Sequence, residues 1–260
     1  MIRRRLYAEI RVSRLAVWSW RIALFALPVI FLAVLLHRLG AIEYEVAYLL
    51  LAAGLAVALA GMLFAIAAFV KIWNEGLRGL GSAIGAFVVA AALLAYPVFD
   101  SLRSINLPPI SDITTDFSDP PRFSAVATSR PRGANNPAYP GAAVANIQRQ
   151  AYPGVKSADF DSSPDEMFNI AVGVVEQYGW RILDSIPPRA GERDGLIEAV
   201  AQTAVMGFRE DVVIRIRAVQ NGVRVDMRSA SRYGTRDFGS NARRIEAFMV
   251  QLADARRRSR

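Results

Sequence analysis

The sequence contains no cysteine and only one histidine, His37, and both shortages exclude particular chemistry. Without cysteine the chain has neither disulfide bonds nor cysteine-ligated metal sites. His37 lies at the edge of the first long apolar run, far along the chain from the C-terminal half. A Ser-His-Asp triad, a histidine general base and a histidine metal site are therefore excluded from that half. We expect no cofactor and no bound metal.

Charged residues are nearly absent from three apolar runs, at residues 18–36, 46–70 and 80–99. Each run has about the 20 residues needed to cross a bilayer core of ~30 Å. Tryptophan and tyrosine residues lie near the ends of the runs, as is typical of membrane interfaces. The sequence therefore predicts three transmembrane helices, and the first is expected to be retained as an anchor because no small-residue cleavage site follows it.

Positive residues in the short segments between the runs predict the orientation in the membrane. Those that precede the first run or follow the second are Arg3, Arg4, Arg5, Arg11, Arg14, Lys71 and Arg78. Because Lys and Arg favour the cytoplasmic side, we expect a cytoplasmic N-terminus. Three crossings then place the rest of the chain outside, which is the periplasm if the membrane is a bacterial inner membrane.

The formal charge of +8 is unevenly distributed. After residue 100 there are 22 basic and 18 acidic residues, and four of the basic ones lie in the tail at residues 255–260. The folded part is thus close to neutral, which argues against a nucleic-acid partner. The tail is expected to be frayed and solvated, with contact to anionic lipid as the alternative.

Residues 101–153 form a proline-rich segment in which long helices and central strands are not expected. It is either a linker or an extended strap laid over the following domain. Four apolar residues favour the strap: Ile113, Phe117, Phe123 and Tyr139.

Residues 154–254 have the pattern of an α+β domain. A helix is predicted from Ser163, an N-cap followed by Pro164 and by Glu166 of a capping box, to Gly179. Strand alternation recurs at 155–160, 180–186 and 195–203, and in the hairpin that follows. The expected fold is an antiparallel sheet with two helices, which is helix-grip-like by analogy.

The hairpin is predicted from Asn221-Gly222, a pair that suits a two-residue type I′ turn. This turn sets Arg217 opposite Asp226, and it sets Arg215 opposite Arg228.

Opposed arginines destabilise a sheet unless a negative group lies nearby. One interpretation is that Glu210, Glu198 or Asp237 neutralises the pair, or that the two arginine side chains diverge into water. The other interpretation is an anion-binding patch around Arg215 and Arg228.

The stretch RYGTRDFGSN connects the last strand to a helix that is predicted to begin near Ser240 or Asn241. Gly234 and Gly239 permit backbone angles that other residues avoid, and Asp237 can cap the helix. Its Asp-Phe-Gly triplet is not taken as a kinase motif, because no other kinase motif accompanies it.

Several motifs together resemble one family. They are "DITTDF", "DPPRF", "AYPGV", "SPDEMF", "FREDVVIRI" and "VRVDMRSASRYGTRDFGSNARRI". The chain resembles the family called domain of unknown function 1499 from about residue 110 to residue 252. The resemblance implies these signature positions: Asp211, Arg228, Ser231, Gly234, Asp237, Gly239, Asn241 and Arg244. It implies no established activity.

The sequence favours a non-enzymatic envelope protein whose exterior domain binds a partner protein, a lipid or a cell-wall component. The expected contact surface comprises Asp211, Arg215, Arg228, Ser231, Arg232, Gly234, Asp237, Gly239, Asn241 and Arg244. One alternative is a hydrolase that acts on an anionic substrate through Asp211, Asp237 and the arginines. A second is an accessory subunit of a transport system, which the lack of ionisable residues within the spans disfavours. The sequence does not indicate the oligomeric state.

Overall fold

The computed structural model describes residues 11–189 and 191–259 and divides the chain into two compact units, residues 1–103 and 104–260. Arg3, Arg4 and Arg5 of the orientation argument lie outside the described residues, as does Arg260 of the basic tail.

The first unit consists of three long helices. They are α1 (Arg14–Arg38), α2 (Tyr44–Glu75) and α3 (Leu80–Ser104). Each is long and apolar enough to cross a membrane. The helices contain the three predicted spans and extend beyond nearly all of their ends, because polar residues continue the same helical backbone outside the apolar runs.

Small residues lie at the contacts between these helices, whereas large apolar residues point outward. Ala23, Ala65 and Ala86 are fully buried and cluster together, while Phe31 is 63% exposed. A Cβ atom at Gly61 would lie 3.0 Å from the backbone nitrogen of Ala23, so glycine allows α1 and α2 to approach closely. This arrangement is typical of helices that pack in lipid.

The second unit is an α+β domain built on one antiparallel sheet. Its strands are β1 (Asp112–Thr114), β2 (Ala158–Phe160), β3 (Arg181–Ile186), β4 (Gly195–Gln202), β5 (Arg209–Val219) and β6 (Gly222–Ser231). The order is β1-β6-β5-β4-β3, and β2 also pairs with β6, on residues 223–225. Its helices are α4 (Ala125–Thr128), α5 (Ala142–Ala151), α6 (Pro164–Gln177) and α7 (Ser240–Arg258). The predicted α+β fold class is confirmed.

One face of the sheet packs against α6 and α7 and forms the apolar core. Ser163 caps α6 as predicted, since its hydroxyl accepts a hydrogen bond from the Glu166 amide. Trp180 stacks on Phe248 of α7 with ring centroids 5.8 Å apart. The largest apolar residues that are fully buried in this core are Ile113, Met167, Ile197, Ile214, Ile216, Met227, Ile245, Phe248 and Leu252.

The β5–β6 hairpin forms with a register that differs from the predicted one. Val219 pairs with Gly222, so Gln220 and Asn221 form the turn in place of Asn221 and Gly222. The register is therefore shifted by two residues, which leaves the inward-facing residues unchanged because strand faces alternate with period two. Gly222 adopts φ 125° inside the strand end, where a Cβ would lie 2.2 Å from the Phe160 carbonyl oxygen.

The shifted register changes the charge pairs across the hairpin. Arg215 lies opposite Asp226 instead of Arg228, and Arg217 lies opposite Arg224. The predicted Arg215–Arg228 and Arg217–Asp226 cross-strand pairs are both wrong. The predicted register is wrong because Asn221-Gly222 was taken as the two-residue turn. In the structure Gly222 is instead the first paired residue of β6, where the close approach of β2 requires glycine.

The proline-rich segment contains regular structure that the sequence reading missed. β1 pairs with β6, and α5 occupies the interval between Pro140 and Pro153. Ile113 of β1 is fully buried in the core.

The basic tail also differs from its expected frayed state, since α7 continues to Arg258. Arg256 forms an ion pair with Glu166 at 3.0 Å and donates to the Asp161 carbonyl. These contacts hold the last turns of α7 beside the start of α6, and Arg257 and Arg258 are exposed.

Candidate functional site

The sheet face opposite α6 and α7 carries buried charges in place of apolar residues. Strand alternation turns one set of side chains toward the segment from Asp112 to Pro140, called the strap below. Those with less than a tenth of their surface exposed are Asp112, Glu198, Asp211, Arg215, Asp226, Arg228 and Arg232. We call this face, with the strap residues that contact it, the charged face.

Arg215 is neutralised by three aspartates. Its guanidinium lies 2.8 Å from Asp226, 3.0 Å from Asp116 and 2.8 Å from Asp119. The prediction that a carboxylate compensates Arg215 is correct, but the carboxylates named for this role, Glu210, Glu198 and Asp237, do not contact it.

The contacts of Asp116 determine the pKa of its carboxyl group. Burial alone would raise the pKa of Asp116, but hydrogen bonds from the Ser118 hydroxyl and from the Asp119 and Ser118 amides, with the charge of Arg215, lower it below its ordinary value. The carboxylate therefore remains charged and holds the first turn of the strap against β5.

Arg228 is almost completely buried in the charged face, with 1% of its surface exposed. It forms a two-pronged pair with Asp112, with distances of 2.9 and 2.7 Å, and donates to the carbonyls of Pro121 and Pro137. Its guanidinium also stacks 4.3 Å from the ring centroid of Phe123. One side chain of β6 thus ties β1 and two separate parts of the strap to the sheet.

A second cluster joins two arginines through one aspartate. Asp211 accepts from Arg232 Nε at 2.8 Å and from Arg130 Nε at 2.7 Å. Arg232 also donates to the hydroxyl and carbonyl of Ser129. Arg130 Nη1 donates to the Asn135 carbonyl. The sequence reading included Asp211 and Arg232 but missed Arg130.

Glu198 is fully buried and was named only as a neutralising group. Its carboxylate accepts hydrogen bonds from the amides of Ser124 and Val126 at 2.9–3.0 Å. It therefore fixes the strap at the start of α4.

A separate polar network connects the ends of β5 and β6 to α7 on the apolar side of the sheet. Glu210 accepts from Ser231 at 3.0 Å and from Ser240 at 2.8 Å, and it pairs with Arg244. Asn241 donates to Ser231 Oγ at 3.0 Å. The predicted Ser231, Asn241 and Arg244 positions are thus brought together around Glu210, which the sequence reading named only as a neutralising group.

Asp237 closes the turn into α7. Its two carboxylate oxygens accept from the amides of Gly239 and Asn241, each at 2.9 Å. Burial raises the pKa of Asp237 above its ordinary value, and these hydrogen bonds only partly offset that effect. Gly239 adopts φ 75°. This positive φ favours glycine, and a Cβ there would also lie 2.8 Å from Leu107 Cδ1, the end of a flexible side chain.

A cleft of about 400 Å³ opens at the edge of the charged face. It lies between the strap, β1 and the loop after β6. Its polar walls come from Ser111, Asp112, Arg130, Asn135, Asn136, Tyr139, Ser231 and Thr235, and its apolar or small walls from Pro109, Ile110, Ala138, Pro140, Val144, Ala230 and Gly234.

Two cleft residues carry a buried polar atom that has no hydrogen-bond partner among the described residues. They are Arg130, through Nη2, and Tyr139, through its hydroxyl. The Arg130 side chain is only 5% exposed. Burial, with a further contribution from Asp112, raises the pKa of Tyr139 to about 12, so the phenol keeps its proton at neutral pH. Both groups are donors.

Within residues 11–189 and 191–259, no three His, Cys, Asp or Glu side chains gather in a way that could hold an ion.

The match to a protein-family model covers residues 112–252, which is more than half of the chain, and that model is described as a protein of unknown function, DUF1499. The chain belongs to the DUF1499 family. No curated protein and no solved structure shows a significant similarity to it. The DUF1499 match begins at the first residue of β1 and includes the whole strap, so the strap is part of the family's domain.

The predicted site residues lie in four places in the structure. Asp211, Arg228 and Arg232, with Arg215, lie in the charged face. Asn241 and Arg244 lie in the Glu210 network, and Asp237 and Gly239 form the turn before α7. Ser231 and Gly234 line the cleft, and Ser231 also belongs to the Glu210 network.

Sequence reasoning missed Arg130, Asn135 and Tyr139 as site residues. Arg130 and Asn135 belong to the proline-rich segment, in which no local pattern indicates a long-range contact. Tyr139 was read only as an apolar anchor of the strap.

Proposed function

We propose that this protein is a non-enzymatic, membrane-anchored binding protein of the bacterial envelope. Its three N-terminal helices cross the inner membrane with the N-terminus in the cytoplasm, and its DUF1499 domain lies in the periplasm. The domain takes its ligand, a lipid, a cell-wall component or part of a partner protein, into the cleft between the strap and the loop after β6.

The placement of positive residues supports this orientation. Arg78, in the loop between α2 and α3, donates from its amide to the Arg11 carbonyl, and its own carbonyl accepts from the Ser13 amide. The residues before α1 and those after α2 therefore lie at the same end of the helical unit. Both segments are basic, and basic segments favour the cytoplasmic side.

The carboxylates considered for hydrolysis are occupied by structural contacts. Asp211 lies between Arg130 and Arg232, Asp226 accepts from Arg215 and from Ser157, and Asp237 accepts from two amides. These three residues do not line the cleft. A catalytic carboxylate must reach the reacting group of its substrate. Binding is therefore favoured over hydrolysis.

The single observation that carries the proposal is the cleft of about 400 Å³, which has both polar and apolar walls and lies within the usual size range of small-molecule sites. Buried polar groups in folded proteins nearly always find a partner, and those that lack one call for an explanation. Arg130 and Tyr139, which carry two such atoms, both line this cleft, whereas the surrounding arginines are paired within the domain. Both residues therefore lie beside a space that a ligand can occupy.

The test uses full-length protein extracted gently from its own membranes and examined by native mass spectrometry. In the variant Ala138→Trp an indole fills the cleft from its exposed rim. Ala143→Trp is the matched control, because Ala143 is exposed on α5 and does not line the cleft. We expect a bound mass on the wild type and on Ala143→Trp that is lost from Ala138→Trp. A mass retained equally by all three proteins, or seen on none, would overturn the proposal.

A further inference from the structure

Phe238 lies in the loop after β6, residues 232–239, in a backbone conformation that bulky side chains rarely adopt. Its φ is 52°, and among the described residues it is the one non-glycine with a positive φ. A glycine adopts such angles without steric conflict, whereas a bulky residue does so at a cost. Strain of this kind persists where the surrounding structure enforces it, and it calls for an explanation.

Packing within the domain does not explain the phenyl ring. Phe238 is 41% exposed, and within residues 104–189 and 191–259 it is the one exposed phenylalanine. The backbone of the loop is held instead by the buried carboxylate of Asp237, which accepts from the amides of Gly239 and Asn241. The loop thus presents a large aromatic ring at the surface of the domain.

The segment that follows the third apolar run lies against this loop. Ser104 and Phe238 both belong to the second unit, and the Ser104 hydroxyl donates to the Phe238 carbonyl at 3.3 Å. Ser104 is buried, whereas its neighbour Ile105 is 68% exposed. Two exposed apolar side chains, Ile105 and Phe238, therefore belong to the same part of the domain.

Covalent geometry limits the distance between Ser104 and the bilayer core. The apolar run ends at residue 99, and α3 continues as a helix to Ser104. The helix rises about 7.5 Å between these positions, at about 1.5 Å per residue. The headgroup layer on each side of a bilayer core is roughly 5–8 Å thick. Ser104, and with it the carbonyl of Phe238, is therefore at the level of the headgroups.

The charges around the loop cancel, so electrostatics gives no preference for an anionic surface. Residues 236–246 contain the charged side chains Arg236, Asp237, Arg243, Arg244 and Glu246, and Arg244 pairs with Glu210. Arg232, at the start of the loop, and Arg130 are matched in number by the buried carboxylates Asp211 and Glu198. Asp100 and Arg103, between the apolar run and Ser104, also cancel. Any contact of this loop with lipid is therefore made by its apolar groups.

From these observations, and resting on the membrane anchoring proposed above, we infer that the loop after β6 contacts the bilayer surface. The ring of Phe238 lies in the interfacial layer of the lipid, with Ile105 beside it. Burial of the ring in this layer removes apolar surface from water, which offsets the cost of the left-handed backbone. The occupant is lipid because the short connection to the span brings the loop to the bilayer in every copy of the protein.

The chain contains no cysteine, so a single introduced cysteine carries a spin label at a defined place. One nitroxide is attached to Phe238→Cys, where the label replaces the ring. The control is Gln220→Cys, in the exposed turn at the other end of β6. The ten residues of β6 separate the two positions by about 30 Å, at about 3.3 Å per residue. Both proteins are full-length and in phosphatidylcholine nanodiscs.

Power saturation in electron paramagnetic resonance measures collisions of each label with oxygen and with a water-soluble nickel chelate. We expect the ratio of oxygen to nickel collisions to be about fivefold or more higher at position 238 than at position 220, because apolar oxygen concentrates in lipid. Equal ratios would overturn the inference, as would a label at position 238 that neither reagent reaches.

A second comparison tests the ring of Phe238 itself. The label is attached to Arg236→Cys, and the ratio is measured with Phe238 intact and in combination with Phe238→Ser. Val250→Ser is the matched control, because Val250 is an exposed apolar residue of α7. Loss of the ring should lower the ratio at position 236 about twofold or more, since less apolar surface then favours the lipid. If neither substitution changes the ratio, Phe238 does not hold the loop at the bilayer and the inference is wrong.

Lipid charge and salt test the apolar character of the contact. The ratio at position 238 should be nearly the same in nanodiscs of phosphatidylcholine and phosphatidylglycerol, at low and at high salt, because the charges around the loop cancel. A ratio that is high only in phosphatidylglycerol and is lost at high salt would contradict the inference, since the contact would then be electrostatic.

The outcome also separates this inference from the proposed function. Suppose that Ala138→Trp abolishes a native bound mass while the labels at positions 238 and 220 give equal ratios. The cleft is then a ligand site, and only the present inference fails. If the purified full-length protein stays monodisperse without detergent or lipid, the proposed membrane anchoring fails, and the present inference fails with it.

Discussion

The two faces of the central sheet are buried by opposite means. Under α6 and α7 the sheet presents Ile197, Ile214 and Met227, whereas under the strap it presents Arg215, Asp226 and Arg228. Both sets are almost free of solvent. Apolar burial is non-directional and tolerates many arrangements, but a buried ion pair is favourable only when its partners are placed accurately.

This difference explains how a proline-rich segment acquires a defined course. The strap contributes short regular elements and few large buried apolar side chains. Its position is instead specified by side chains of the sheet that each bind distant strap residues. Arg228 binds at Pro121 and Pro137, and Glu198 binds at Ser124 and Val126. The charged face contributes specificity, and the apolar face contributes most of the stability.

The largest expected effect comes from breaking the charged face at its centre. Arg228→Met should lower the free energy of unfolding by about 3–5 kcal/mol, because it leaves Asp112 buried without a partner. Urea unfolding of the full-length protein in micelles, followed by near-UV circular dichroism, measures the loss.

The matched control for that variant is Arg224→Met, on the same strand and the same face. Arg224 pairs with Asp159 at the surface, where both side chains are about half exposed. We expect a loss within about 0.5 kcal/mol. If Arg228→Met and Arg224→Met lowered the free energy of unfolding by similar amounts, the buried ion pairs of the charged face would not be what holds the strap in place.

A smaller effect is expected where the apolar face ends, at the turn before α7. Asp237→Asn replaces one acceptor by an amide NH2 group that faces a backbone N–H, which should cost about 1–3 kcal/mol. The same unfolding measurement checks this value. A variant that folds with unchanged stability would contradict the capping role and revive the hydrolase alternative.

The next prediction concerns pH and the first turn of the strap. Asp116→Asn should cost about 0.5–1.5 kcal/mol at pH 7, through weaker hydrogen bonds to Ser118 and Arg215. The folded state lowers the pKa of Asp116, so its contribution is present above the unfolded value of 3.8 and is lost as the pH falls through the lower, folded value.

The difference in stability between the wild type and Asp116→Asn should therefore narrow in acid, which thermal unfolding at a series of pH values measures. If this difference in stability instead increased as the pH falls, the folded state would not stabilise the charged form of Asp116.

The smallest effect is expected at the cleft. Tyr139→Phe removes a buried hydroxyl that has no partner in the part of the chain that the structure describes, so the ligand-free protein should unfold within about 1 kcal/mol of the wild type or be slightly more stable. Thermal unfolding after removal of bound molecules tests this expectation. A loss beyond about 1 kcal/mol would mean that the hydroxyl has a partner within the domain.

The predictable parts of this fold depend on local patterns. The three apolar runs, the cap at Ser163 and the start of α7 at Ser240 each follow from neighbouring residues, and the structure contains all of them. The hairpin also forms, but its register was set by the contact between Gly222 and Phe160, two residues that are far apart in sequence.

The charged face was not predictable in the same way. Arg228 pairs with Asp112, Arg232 donates to Ser129, and Arg130 donates to Asp211. The two residues in each of these contacts lie more than 80 positions apart in the sequence. Only the Arg232–Asp211 contact joins residues that are closer in sequence. Charge alone indicates that each arginine needs a partner without indicating which carboxylate supplies it. The cleft could not be predicted for the same reason, because its residues are distant in sequence: Arg130 and Tyr139 belong to the strap, and Ser231 belongs to β6.

Amide hydrogen exchange on the full-length protein in nanodiscs tests most directly whether the strap is a fixed part of the domain. The amides of Thr114, Ser124 and Val126 bond to buried side chains of α5 or the sheet. We predict that they exchange nearly as slowly as the amides of β5, and that Arg228→Met accelerates them far more than it accelerates β5. Rapid exchange of these strap amides in the wild type, beside a protected sheet, would contradict the account.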